Sequence, residues 1–199
     1  MGGDVGRGGH GLVRVPVVVR AGAAPLWWLG VLAAGIGALP PGLTGRRIGV
    51  LTGAALFIVV AAAVAYSRRK RYGALAREAT RAGKYDVLQS RSVSVRNWRH
   101  GHRWWLAAAF LAALGSAFAL PVAGGAVLAG AGAGLWAKAA WVGRRERADD
   151  VLLWVRVDWL GRGAGAPAGK AVRAYRTTGP AAGDAGPGGV RRRTVAAAR

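Results

Sequence analysis

Two stretches of this chain, Ala21 to Leu43 and Ile48 to Tyr66, carry no charged side chain, and a third, Trp104 to Val142, carries only Lys138. Few folds can absorb such runs. Helices formed from the first two would have no polar face to offer water, which argues against a soluble core. Each is close to the ~20 residues a helix needs to cross about 30 Å of hydrocarbon. Pro40, Pro41, Gly42 and Gly45 break the first pair apart, and Pro121 divides the third block. The expectation is an all-α membrane protein with four transmembrane helices as two tandem hairpins, accompanied by a small cytoplasmic β element.

Between the blocks the charge is concentrated. Ser67 to Arg103 holds eleven Lys/Arg against Glu78 and Asp86, and the whole chain has a formal charge of +21. A soluble protein this basic would spread its charge over a nucleic-acid-binding surface. Here the charge is segregated into short segments, as in inner-membrane proteins with basic cytoplasmic loops. The organisation expected is a cytoplasmic N-terminal segment (1–20), hairpin 1 (21–66), a basic segment (67–103), hairpin 2 (104–142), a juxtamembrane strand or helix (143–160) and a disordered basic tail (161–199). With 1–20, 67–103 and 143–199 inside, the outer turns hold only Arg46 and Arg47. The cell (inner) membrane with both termini cytoplasmic is therefore the expected location. Trp27, Trp28, Trp98, Trp104, Trp105, Trp136 and Trp141 fall near the inner interface under that threading. A cleaved signal peptide fits less well, because Asp4 interrupts a long leading region and no small-x-small site is convincing.

Three segments alternate apolar and polar residues with period two: 12–20, 90–98 and 151–159. Paired strands of one cytoplasmic sheet and an unpaired interfacial lining are equally good readings of that pattern. Tyr72 to Gly83 has good helix formers and reads as a cytosolic extension of the second membrane helix.

The order Val19-Arg20, Trp27-Trp28-Leu29, Ala38-Leu39-Pro40, Arg68 to Arg71, Asp86-Val87-Leu88 returns. It recurs as Val95-Arg96, Trp104-Trp105-Leu106, Ala119-Leu120-Pro121, Arg144 to Arg147, Asp150-Val151-Leu152. Each copy holds one apolar hairpin, so a duplication would give parallel repeats about an axis along the membrane normal. Gly49 and Gly53 are echoed by Gly130 and Gly134, the spacing that allows close helix packing within the chain or between copies.

No constellation for catalysis or for a cofactor stands out. The eight acidic residues all lie outside the apolar blocks, which disfavours proton-coupled transport. The chain has no cysteine, which excludes disulfides and thiolate metal sites. His100 and His102 lack a third ligand and sit between arginines, so no metal site is assigned. Lys138 lies near a block end, where its stem could snorkel to headgroups.

The basic face is the surface with an evident partner. Arg68, Arg69, Lys70, Arg71, Arg77, Arg81, Arg96, Arg99, Arg103, Arg144 and Arg145 are the candidates for binding anionic lipid headgroups or DNA through phosphates. In size, composition and basic cytosolic segments the chain resembles the small Ala/Gly/Arg-rich accessory membrane proteins of actinobacterial conjugative plasmids and phages. That resemblance implies an accessory role in DNA transfer at the membrane. The function expected is a non-enzymatic membrane scaffold or accessory protein recruiting lipid, DNA or an acidic partner. Competing readings are a holin-like oligomeric pore and a transport or immunity subunit with a membrane protein partner.

Overall fold

The computed structural model describes residues 11–40, 43, 45–83, 86–161 and 167–179. Twelve elements follow in order: β1 (Gly11–Arg14), α1 (Val15–Ala21), α2 (Ala23–Gly37), α3 (Arg46–Tyr66), α4 (Arg69–Arg77), β2 (Thr80–Arg81), β3 (Val87–Leu88), α5 (Arg91–Ser116), α6 (Ala123–Ala148), β4 (Leu152–Arg156), α7 (Val157–Gly161) and β5 (Arg176–Thr178). Residues 1–10 of the N-terminal segment and 162–166 and 180–199 of the basic tail lie outside the described residues.

The expected all-α protein with four transmembrane helices in tandem hairpins is not what is found. The chain is about 68% helical and carries a curled five-stranded mixed sheet. Among the described residues only two helical stretches, Val15–Gly37 and Arg46–Arg77, are long and apolar enough to cross a membrane. The reasons lie in α5 and α6. The first half of α5 carries Arg91, Arg96, Arg99 and Arg103. Helix α6 is diluted by six glycines and Lys138 and ends in Arg144, Arg145 and Arg147.

The sheet has the order β2-β5-β4-β1-β3. β4 is antiparallel to β1, with Val13 opposite Val155, and antiparallel to β5, with Leu153 opposite Thr177. The two edge strands run parallel to their neighbours, β3 to β1 and β2 to β5. Alternation along a strand sends successive side chains to opposite faces. Val13, Leu153 and Val155 join α1, α4 and α6 in the main core, while Leu12, Leu152 and Trp154 cluster separately.

Of the three alternating segments, only part behaves as expected. Residues 12–14 lie in β1 and 152–156 form β4, but 15–21 and 91–98 are helical. Pro16 sits in the first turn of α1, where its missing N–H costs nothing. Val15, Val18 and Val19 then share the buried face at i, i+3, i+4. In α5 the Ser94 hydroxyl donates to the Ser90 carbonyl at 3.0 Å, and the Trp98 and His102 rings stack at 4.3 Å, both at i, i+4 spacing. The cytosolic extension of α3 is instead a separate helix, because Arg68 adopts φ 58° and breaks the axis before α4. Of the tail expected to be disordered from 161, residues 167–179 supply β5 and the fully buried Tyr175.

Helix α6 organises the helical layer. It is antiparallel to α2, with Gly125 against Ala34 and Gly132 against Trp27. It is parallel to α3, packed so closely that a Cβ added at Gly130 or Gly134 would fall 2.6 Å from the carbonyl oxygen of Phe57 or Ala61 respectively. Gly49 and Gly53 meet Pro121 and Val122 at the top of the same seam. The four glycines read as packing positions therefore line one interface within the chain, between α3 and α6. The two Asp-Val-Leu sequences both lead into strands that flank β1, one parallel and one antiparallel.

The Tyr175 hydroxyl donates to the Pro167 carbonyl at 2.9 Å inside the main core. Burial pushes its phenol above the ordinary tyrosine range. Ionisation is thus disfavoured in the fold, so its stabilising contribution holds below about pH 10 and is lost above it. Tyr175→Phe should lower stability by about 1 kcal/mol at neutral pH, and the gap to wild type should narrow under alkaline conditions. Thermal unfolding in mild detergent at two pH values checks this.

Candidate functional site

The basic residues selected from sequence fall into two groups in three dimensions. One group is engaged in holding the fold. The Arg68 guanidinium donates to the Ala168 carbonyl at 3.3 Å, and Arg71 donates to the carbonyls of Gly169 and Val172 at 3.0 and 3.3 Å. These contacts dock the 167–172 segment onto α4. Arg69 donates to the Ala65 carbonyl at 3.0 Å and stacks over Tyr66 and Trp141. Arg145 lies 3.7 Å from Asp149, and Arg103 stands over the Trp104 ring. The second group, Lys70, Arg77, Arg81, Arg96, Arg99 and Arg144, is exposed, with no side-chain partner among the described residues.

The fold also assembles a site that the sequence reading missed. A groove of about 810 Å³ opens between α1, the first half of α5 and the last turns of α6. Its polar lining is five arginines: Arg14, Arg20, Arg91, Arg99 and Arg147. Its apolar lining includes Val17, Ala21, Val95, Trp136 and Ala139. Only Arg99 of the sequence candidates lies there. Arg91, Val95 and Arg99 share one stripe of α5 at i, i+4, i+8. That spacing could have found the site had 90–98 been read as helix rather than strand.

One of the five arginines is neutralised. Glu146 is 3% exposed and accepts from the Arg14 Nη2 at 2.6 Å, and it also accepts the Leu153 backbone N–H at 2.8 Å. The carboxylate is thereby fully used. Among the described residues Arg147 donates only to its own-helix Gly143 carbonyl, at 3.1 Å. Arg20, Arg91 and Arg99 have no acidic partner among the described residues.

Other candidate chemistry is occupied structurally. Lys138 does not snorkel: it is buried, and its Nζ donates to the Ser67 hydroxyl at 2.7 Å near the Tyr72 ring. His102 donates through Nδ1 to the Trp98 carbonyl at 2.9 Å. Among the described residues no three His, Cys, Asp or Glu side chains group in a way that could hold a metal.

Comparison with family models, with curated proteins and with solved structures finds no match.

Proposed function

We propose that this protein is a membrane-embedded, non-enzymatic scaffold or accessory protein whose basic end engages anionic membrane phosphates. One observation carries the reading: the two ends of the molecule expose opposite chemistries. At the α2–α3 end, Leu39, Leu43 and Leu51 are 73, 89 and 72% exposed, and Ile48, Ile58 and Val59 join them. Only 17% of the most apolar window of Arg46–Arg77 is buried, whereas a core helix of a soluble protein would be mostly buried. A contiguous apolar surface this large would not stay in water unpartnered. At the other end, the main core lies beneath the sheet, and Lys70, Arg77, Arg81, Arg96, Arg99 and Arg144 are exposed.

The stretch Val15–Gly37, which is α1 with α2, and helix α3 are the spans in this reading, with Arg46 and Arg47 outside and the sheet, α4 and the start of α5 on the cytoplasmic side. The glycine contacts of α6 fill the interior of the helical layer, which favours a scaffold over a pore formed within one chain. The test is extraction of isolated membranes with alkaline carbonate and then high salt. The protein should remain in the pellet through both washes, and release by either would overturn the reading. After reconstitution, anionic lipid should raise the thermal midpoint over zwitterionic lipid, and salt should erode that gain. Each near-surface Lys/Arg contributes about 1 kcal/mol at low salt.

A further inference from the structure

We propose that the groove between α1, α5 and α6 is a specific site for a phospholipid bearing two phosphates, with its headgroup on Arg20, Arg91, Arg99 and Arg147 and its first acyl methylenes on Val95 and Trp136. The inference rests on the membrane reading above and assigns the ligand of one site within it.

Four guanidiniums from three elements converge on one concavity, and the carboxylate nearest in the fold, Glu146, is already engaged by Arg14 and the Leu153 amide. Like charges held together repel, so the arrangement is favoured only with a counter-charge present. Guanidinium groups bind phosphate oxygens through paired N–H donors, and four of them match two phosphates better than one. The apolar floor selects further. A small soluble anion gains nothing from Val95 and Trp136, whereas a lipid covers them with hydrocarbon. At about 810 Å³ the space is far larger than a lone phosphate and suits a headgroup with the start of its chains. Position agrees as well. Arg99 precedes Trp104 by five residues of α5, about 7 Å along the axis. Trp104 and Trp105 are exposed, with Leu111 and Phe118 beyond them, so the groove sits where the apolar surface begins.

The experiment uses the full chain purified in mild detergent and native mass spectrometry. The protein is titrated with phosphatidylcholine, with single-phosphate phosphatidylglycerol and with two-phosphate diphosphatidylglycerol. Wild type should retain the two-phosphate lipid most tightly. Arg91→Gln/Arg99→Gln should weaken that retention about tenfold or more, with an unchanged thermal midpoint. Arg96→Gln/Arg103→Gln removes the same charge from the same helix outside the groove lining, and should affect both anionic lipids alike. If both double variants lose the two-phosphate lipid equally, the groove is not the site, although the general basic-face reading survives. Equal retention of one- and two-phosphate lipids by wild type overturns the headgroup assignment. Displacement of the lipid by inorganic pyrophosphate, or by short single-stranded DNA, would identify a soluble phosphate or a nucleic acid as the occupant instead. No preference for either anionic lipid over phosphatidylcholine would overturn this site and the basic-face reading together.

Discussion

Replacing Glu146 with alanine should destabilise the protein by about 3 kcal/mol, the cost of breaking a buried ion pair from one side. The residue sits in the last turns of α6, and its carboxylate ties three elements together. It holds Arg14 at the end of β1 through Nη2 and Nε, at 2.6 and 3.2 Å, and caps the Leu153 N–H of β4 at 2.8 Å. Alanine would leave a part-buried guanidinium and a buried amide without partners, and an orphaned buried donor alone costs about 1–3 kcal/mol. Glu146→Gln keeps an acceptor for the amide and loses the charge, so it should fall between alanine and wild type. A double-mutant cycle with Arg14→Ala isolates the pair from the amide contact. Thermal unfolding in detergent is the readout, and a Glu146→Ala variant as stable as wild type would show that the sheet is not anchored to α6 in this way.

Gly125→Val should destabilise by about 3 kcal/mol, at the upper end for overpacking, because nothing nearby can move aside. A Cβ at Gly125 would collide with the backbone N of Ala34 and lie 2.6 Å from its Cα, and Gly30 meets the Ala129 backbone reciprocally. The obstruction is backbone on both sides, so α2 and α6 would have to separate along their whole contact. Gly101 in α5 has open space where its Cβ would go, so Gly101→Ala should instead stabilise by roughly 0.5–1 kcal/mol through helix propensity. Opposite signs for two glycines that look alike in sequence would establish that the α2–α6 contact is a close backbone approach. Matching signs would not.

The helical layer was legible in the sequence because its cause is local. Uncharged runs bounded by Pro40 and Pro121 place α2, α3 and the turn into α6 without reference to anything distant. The number of spans was misjudged for a physical reason. Trp104 to Val142 carries only Lys138, but scarcity of charge is not apolarity: α6 is glycine-rich and buries much of itself against its neighbours. The sheet was only partly legible. β4 lies in a segment whose alternation fits a strand or an interfacial lining equally well, while β2 and β3 are two residues each and carry no period at all. They are strands only because β5 and β1 lie beside them. The 90–98 segment shows how alternation misleads: Val93 and Val95 alternate with serines, yet Ser94, Val95, Trp98 and His102 form a coherent helical face. That misreading also hid the groove. Arg99 is recognisable as basic, but Arg20 and Arg147 join it and Arg91 only when α1, α5 and α6 pack.

The central claim is that the molecule is threaded through a bilayer with its apolar turn on one side and its sheet and basic groove on the other. The chain has no cysteine, so a single engineered thiol reports its own location without background. Leu43, between α2 and α3, is 89% exposed, and Lys70 in α4 is exposed at the basic end. In intact cells, a membrane-impermeant maleimide should label Leu43→Cys and leave Lys70→Cys unlabelled until the membrane is opened. Labelling of Lys70→Cys from outside, or of both positions alike, would contradict the threading and the lipid-facing groove built upon it.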